Sequence, residues 1–163
     1  MDTDPSPYSL GPQDGEALWF FGGLVTFKAT SEQTGGRFVL LEQLSRGGTT
    51  STWHAQPGYE ESFFVLEGEM TFWVEDEGPL RASAGSFVHV PEGVAHALRV
   101  DSERARFLNL AGSAQHEGFI REAGEPAEGR ELPPEGPPDL EKVGAAARRH
   151  GVVILGAPPR GDA

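Results

Sequence analysis

Between Ala17 and Gly112, glycine and proline cut the chain into short runs of β-branched and aromatic residues. The breaks fall at Gly22-Gly23, Gly35-Gly36, Gly47-Gly48, Pro57-Gly58, Gly68, Gly78-Pro79, Gly85 and Pro91. Glycine supplies positive φ at a turn, and proline cannot donate to a sheet ladder. The runs carry no helical period, so the spacing predicts strands over 17–21, 24–29, 37–44, 49–56, 62–67, 69–75, 80–82, 86–90, 95–100 and 105–111. Many short strands punctuated this way describe an all-β, jelly-roll-like barrel.

The texture changes after Ala111. Residues 116–123 read as a short helix that Gly124 and Pro126 end. Residues 124–138 are rich in Pro, Gly and Glu and predict a surface tether. Asp139 is then an N-cap, Leu140, Val143 and Ala147 share a helical face, and Gly151 stops the helix before a possible edge strand at 152–155. This divides the chain into an N-terminal flexible segment (1–16), a barrel (17–112) and a C-terminal extension with one helix (113–163). With 163 residues, one domain is expected.

Charge and composition narrow the partners. There are 25 acidic against 13 basic residues, a net charge of -12, which disfavours nucleic acid and anionic membrane surfaces and leaves a small-molecule substrate. Cysteine is absent, so any metal must use His, carboxylate or amide donors. The start lacks a signal-peptide pattern, and no run approaches the roughly 18 apolar residues of a membrane span, which gives a cytoplasmic expectation. The apolar N-terminal strands make a homodimer plausible.

Four polar residues carry the functional signal. On strand 49–56 the side chains alternate, so His54 and Gln56 share a face. Glu61 opens the next strand after the Pro57-Gly58 turn, which predicts a hairpin, and His96 opens a later strand that barrel closure would bring opposite. Imidazole, amide and carboxylate donors together suit a divalent transition metal (Fe, Ni, Mn, Cu or Zn) with positions left for water or substrate. Phe63 and Phe72 are the candidate substrate-pocket aromatics. Phe20, Trp19, Trp53 and Trp73 read as core. His89 reads as a buried, hydrogen-bonded histidine, His116 and His150 as solvent-facing or helix-capping residues, and Glu75-Asp76-Glu77 as a solvated hairpin tip.

The spacings resemble a known pair of motifs. Gly48, five residues, His54-Ala55-Gln56, four residues, Glu61, six residues and Gly68 resemble the first cupin motif; Gly85, five residues, Pro91-Glu92-Gly93, two residues and His96 resemble the second. The resemblance implies a cupin double-stranded β-helix and a metal held by His54, Gln56, Glu61 and His96. Gln56 stands where the family usually has His, but Gln serves as a metal ligand in some cupins such as type I phosphomannose isomerases, and Val100 stands where the family often has Asn. Leu18 to Val25, Thr34 to Phe38 and Gly118-Phe119 resemble single-domain, quercetinase-like cupins. That likeness implies a metal-dependent dioxygenase on a small aromatic or enolisable substrate, with Glu61 as ligand and proton acceptor. Two alternatives remain open: a metal-dependent isomerase or cyclase that does not use dioxygen, and a non-catalytic small-molecule-binding cupin.

Overall fold

The computed structural model describes residues 5–159. Of the expected N-terminal and C-terminal segments, residues 1–4 and 160–163 lie outside the described residues. The strands are β1 (Ala17–Phe20), β2 (Gly23–Ala29), β3 (Val39–Arg46), β4 (Trp53–Ala55), β5 (Glu61–Glu67), β6 (Glu69–Val74), β7 (Gly78–Ser83), β8 (Phe87–Val90), β9 (His96–Val100), β10 (Arg104–Ala111), β11 (Glu125–Pro126) and β12 (Val153–Gly156). The helices are α1 (Ala114–Ala123) and α2 (Leu140–Arg149). Among the described residues, none of the helices is long and apolar enough to cross a membrane.

Two antiparallel sheets face each other, in the orders β11-β1-β2-β3-β10-β5-β8 and β12-β4-β9-β6-β7. Along β10 the alternation is regular: Ala105, Phe107, Asn109 and Ala111 are buried, and the intervening side chains are more exposed. Such a period-2 pattern is what a sheet with one covered face requires. Two apolar clusters fill the interior. Phe63, Val65, Met70, Phe72, Val100 and Phe107 belong to one, between the sheets. The other joins Val25, Phe27, Val39 and Leu41 to Phe119 and Ile120 of α1 and Val143, Ala146 and Ala147 of α2. The C-terminal helices therefore close one end of the barrel.

Both helix starts follow from capping. Ser113 accepts from the Gln115 amide and Asp139 from the Lys142 amide, satisfying donors that the first turn leaves open. The predicted α2 face needs one correction. Val143 and Ala147 are buried, Ala146 joins them, but Leu140 is 62% exposed, because it sits at the first helical position where the chain is still arriving from the tether. The tether itself is largely irregular; β11 pairs it with β1, and Trp19 Nε1 donates to the Glu131 carbonyl at 2.9 Å. The acidic run at 75–77 is exposed at the tip between β6 and β7, as the sequence predicts.

The predicted hairpin between the His54 and Glu61 strands does not form. β4 pairs with β9 and β12, whereas β5 pairs with β10 and β8, so the turn at Pro57-Gly58 crosses from one sheet to the other. Gly68 makes the second crossing, between β5 and β6, at φ +86°. A Cβ there would collide with the Arg104 carbonyl oxygen. Gly93 is also left-handed, at φ +76°, but no heavy atom lies within 4 Å of where its Cβ would be. Gly93→Ala is therefore expected to cost about 1–2 kcal/mol from backbone strain alone, and Gly68→Ala about 3 kcal/mol or more because overpacking adds. Urea unfolding of the two variants checks this; equal losses would contradict it.

Candidate metal centre

The sheet crossing at 56–60 sets the geometry. His54 on β4 and His96 on β9 are direct register partners, with ring centroids 4.4 Å apart. Glu61 faces them from the opposite sheet. His96 thus lies beside His54, and it is Glu61 that comes from across the barrel, which corrects the predicted arrangement while keeping the same residues together. Donor atoms of His54, Glu61 and His96 all lie within 4.8 Å of one another. Gln56 is buried and lines the same cavity.

Backbone carbonyls orient both imidazoles. Thr52 O accepts from His54 Nδ1 at 2.7 Å, and Val94 O accepts from His96 Nδ1 at 3.0 Å. With each Nδ1 carrying the proton, each Nε2 is the atom left for a ligand, the arrangement typical of metal-binding histidine. His96 Nε2 lies 2.9 Å from Glu61 Oε2.

The other carboxylate oxygen starts a directed chain of hydrogen bonds. An ionised carboxylate can only accept, so the 2.8 Å contact with Glu61 Oε1 must come from the Asn109 NH2 group. Asn109 Oδ1 then accepts from His116 Nε2 at 2.7 Å, which leaves His116 Nδ1 as an acceptor for the Tyr59 hydroxyl at 3.3 Å. The Tyr59 oxygen in turn takes a hydrogen bond from the Gln56 side chain. With one N–H of its NH2 group directed at Tyr59, Gln56 has its carbonyl oxygen as the candidate metal donor. The chain runs from Glu61 to Gln56 and orients an amide oxygen, a competent hard donor, at the position where histidine is usual.

Sequence reasoning missed three members of this chain. Tyr59, Asn109 and His116 are all buried. Asn109 is a polar residue in the inward row of β10, a signal available from strand alternation. His116 shares a helical face with Phe119, Ile120 and Ala123, so it points into the barrel and not to solvent as predicted. His89 is the reverse case: predicted buried, it is exposed at the edge strand β8, hydrogen-bonded to Ser62 Oγ at 2.8 Å. His150 caps α2, as one predicted reading had it, and contacts Glu122.

Environment sets the protonation states. Burial opposes charge on Glu61, but the His96 hydrogen bond and the surrounding imidazoles outweigh it and hold the carboxyl well below the usual range. Burial, helped by the neighbouring His96, lowers His54 to about 4. Burial also lowers His116, and it raises Tyr59, keeping the hydroxyl protonated. His96 moves up, because its bond to Glu61 outweighs burial. At neutral pH the cluster offers one carboxylate and a neutral His54.

This donor set fits a divalent ion. At metal–donor distances of about 2.1 Å, paired donors stand roughly 3–4.2 Å apart, close to the observed spread. The donors open on a cavity of about 100 Å³ walled by Phe20, Phe63, Leu98, Phe107, Phe119 and Ile120, among others. Phe63 is thus on the wall. Phe72 is fully buried behind it, ring centroids 5.0 Å apart, and does not line the cavity.

Comparison with known proteins agrees with this architecture. Residues 40–111 match the family model described as "Cupin domain". The chain belongs to the cupin superfamily. This cupin is 30% identical over 127 residues to the quercetin 2,3-dioxygenase of Bacillus subtilis (strain 168), covering 78% of this chain and 37% of the relative, so it spans little more than a third of that protein's length. In fold it is similar to the polyketide cyclase RemF from Streptomyces resistomycificus (TM-score 0.56, 21% identity, 65% of this chain and 79% of that one). It is also similar to a predicted oxalate decarboxylase from Thermotoga maritima (TM-score 0.55, 16% identity, 63% and 94%).

Two outcomes test the cluster. Asn109→Ala removes the donor that orients Glu61 and is expected to weaken metal binding by about 10–100-fold, measured by competition with a chromophoric chelator; His54→Ala should weaken it further. For the metal-free protein, His54 titrates lower when folded than unfolded, so stability falls as pH drops from about 6.5 toward 4, by up to about 1.4 kcal/mol per pH unit, and the lowered His116 acts in the same direction. The raised His96 contributes fully below about 6.5 and loses its contribution as pH rises through its folded value. Stability is therefore expected to peak near pH 6.5, and His54→Gln to flatten the acid limb in unfolding titrations.

Proposed function

We propose that this cupin is a metal-dependent dioxygenase acting on a small aromatic or enolisable substrate, with His54, Gln56, Glu61 and His96 as the metal-holding residues. The observation that carries it is the convergence of two oriented imidazoles and a doubly hydrogen-bonded carboxylate on one small, largely apolar cavity. The likeness to a quercetin 2,3-dioxygenase supports the oxidative chemistry.

When bound, a divalent metal would polarise a substrate hydroxyl or carbonyl oxygen and acidify the adjacent proton. The chain does the rest. Glu61 is ionised at neutral pH and receives that proton, and the Asn109 amide holds its Oε1 in place while Oε2 faces the metal-holding imidazoles. The resulting enolate carbon is the electron-rich partner for dioxygen. Phe63, Phe107 and Phe119 keep bulk water from the reacting atoms. The cavity is smaller than the roughly 150 Å³ that accommodates benzene, so it takes a compact head group.

The test is oxygen uptake by the metal-loaded protein with a 1,3-diketone or catechol, after metal content has been measured. Substrate-dependent uptake is expected, with a drop of about 100-fold or more in Glu61→Gln at unchanged fold. Undiminished uptake in that variant would remove Glu61 from its role. Exchange of substrate C–H for deuterium with no oxygen uptake would move the assignment to a non-oxidative isomerase or cyclase, and ligand binding that is indifferent to metal would move it to a binding module.

A further inference from the structure

An open groove of about 820 Å³ lies beside the small cavity. Phe21, Thr49, Ser51, Thr52, Val143 and Ile154 line both spaces, so they form the partition between them. We propose that cavity and groove are two halves of one ligand site, and that the ligand is an uncharged, elongated molecule: a compact enolisable or hydroxylated head in the cavity and an apolar tail along the groove. This rests on the reading of the cavity given above.

The chemistry of the groove walls selects for the tail. Its cationic side chain, Arg46, is already engaged by the carbonyls of Gly22 and Pro133 and by Glu135. No charge is thereby offered to a ligand by that guanidinium, and an anionic tail would have to displace these partners. Leu140 is 62% and Ile154 38% exposed on the groove wall, so two aliphatic side chains flank one concavity with apolar surface open to a ligand. Ile154 is also the register partner of His54, so the groove leads directly off the strand that carries the first metal donor.

Phe21 stands on the shared wall. It is the first residue of the two-residue loop between β1 and β2, which closes on the pair Phe20 and Gly23. Phe21 and Gly22 both adopt positive φ, +50° and +78°. Loops of this form favour Asn, Asp or Gly at the first position, and a bulky aromatic held there is a conformational outlier. The consequence of that constraint is an aromatic ring on the partition between head and tail spaces, where such strain points to a functional role.

A homologous series of 1,3-diketones tests the assignment without turnover: acetylacetone, then analogues with progressively longer n-alkyl tails, titrated spectroscopically into the metal-loaded protein. Affinity is expected to rise with tail length, by up to about fourfold for each methylene buried. Thr50→Trp fills the groove without touching the cavity, and Leu140→Glu places a charge on its apolar wall at a helix start that favours acidic residues. Both are expected to abolish the gain with tail length and to leave acetylacetone affinity unchanged, which also reports an intact fold. A tail-length gain that survives both variants, no gain in the wild type, or equal affinity for a tail ending in carboxylate overturns the proposal while the head site stands. Failure of every diketone to bind the metal-loaded protein overturns the reading of the cavity and this inference with it.

Discussion

A carboxylate buried between two sheets is expensive unless every lone pair it presents is met, and Glu61 organises its surroundings around that requirement. Because it can only accept, its neighbours are obliged to donate, and the obligation passes outward with a fixed polarity through Asn109, His116 and Tyr59 to Gln56. Among the described residues, no buried side-chain polar atom is left without a partner. Each bond in the chain from Glu61 outward is thus matched donor to acceptor, and a low local dielectric strengthens it.

The fold makes that arrangement possible by keeping it between two apolar clusters. One holds the sheets together below the site, and the other is completed by α1 and α2. Ala146 and Ala147 of α2 are essentially inaccessible, so the small side chains let that helix approach closely and complete the barrel end. The candidate metal donors His54, Glu61 and His96 come from the sheets, the residues that orient Glu61 and Gln56 come partly from the extension, and neither part builds the cluster alone.

Much of this was legible from the residues. Strand positions followed from glycine and proline punctuation, and His54, Gln56, Glu61 and His96, singled out by their spacing, line one cavity even though the predicted hairpin was wrong. Local alternation tells which face a residue takes but not which sheet its strand joins, and the 56–60 turn is a sheet crossing that no local signal distinguishes from a hairpin. His116 was misplaced for a related reason: a ten-residue helix with one histidine on an apolar face gives no sign of what that face will meet. Asn109 was readable in principle, as a polar interruption of an inward apolar row. Leu140 misled because helical periodicity does not know where the first turn begins to be covered.

The donation of His116 by α1 has a further thermodynamic meaning. The helix docks on the barrel partly through a side chain whose bonding partner orients Glu61, so on the proposed metal-dependent reading docking and metal occupancy would be linked equilibria. Linkage is reciprocal: whatever free energy the docked helix adds to metal affinity, the ion returns to the docked state of the helix. The C-terminal extension would in this sense be a reporter of the ion, and its local opening rate would carry information about a centre that it helps to wall.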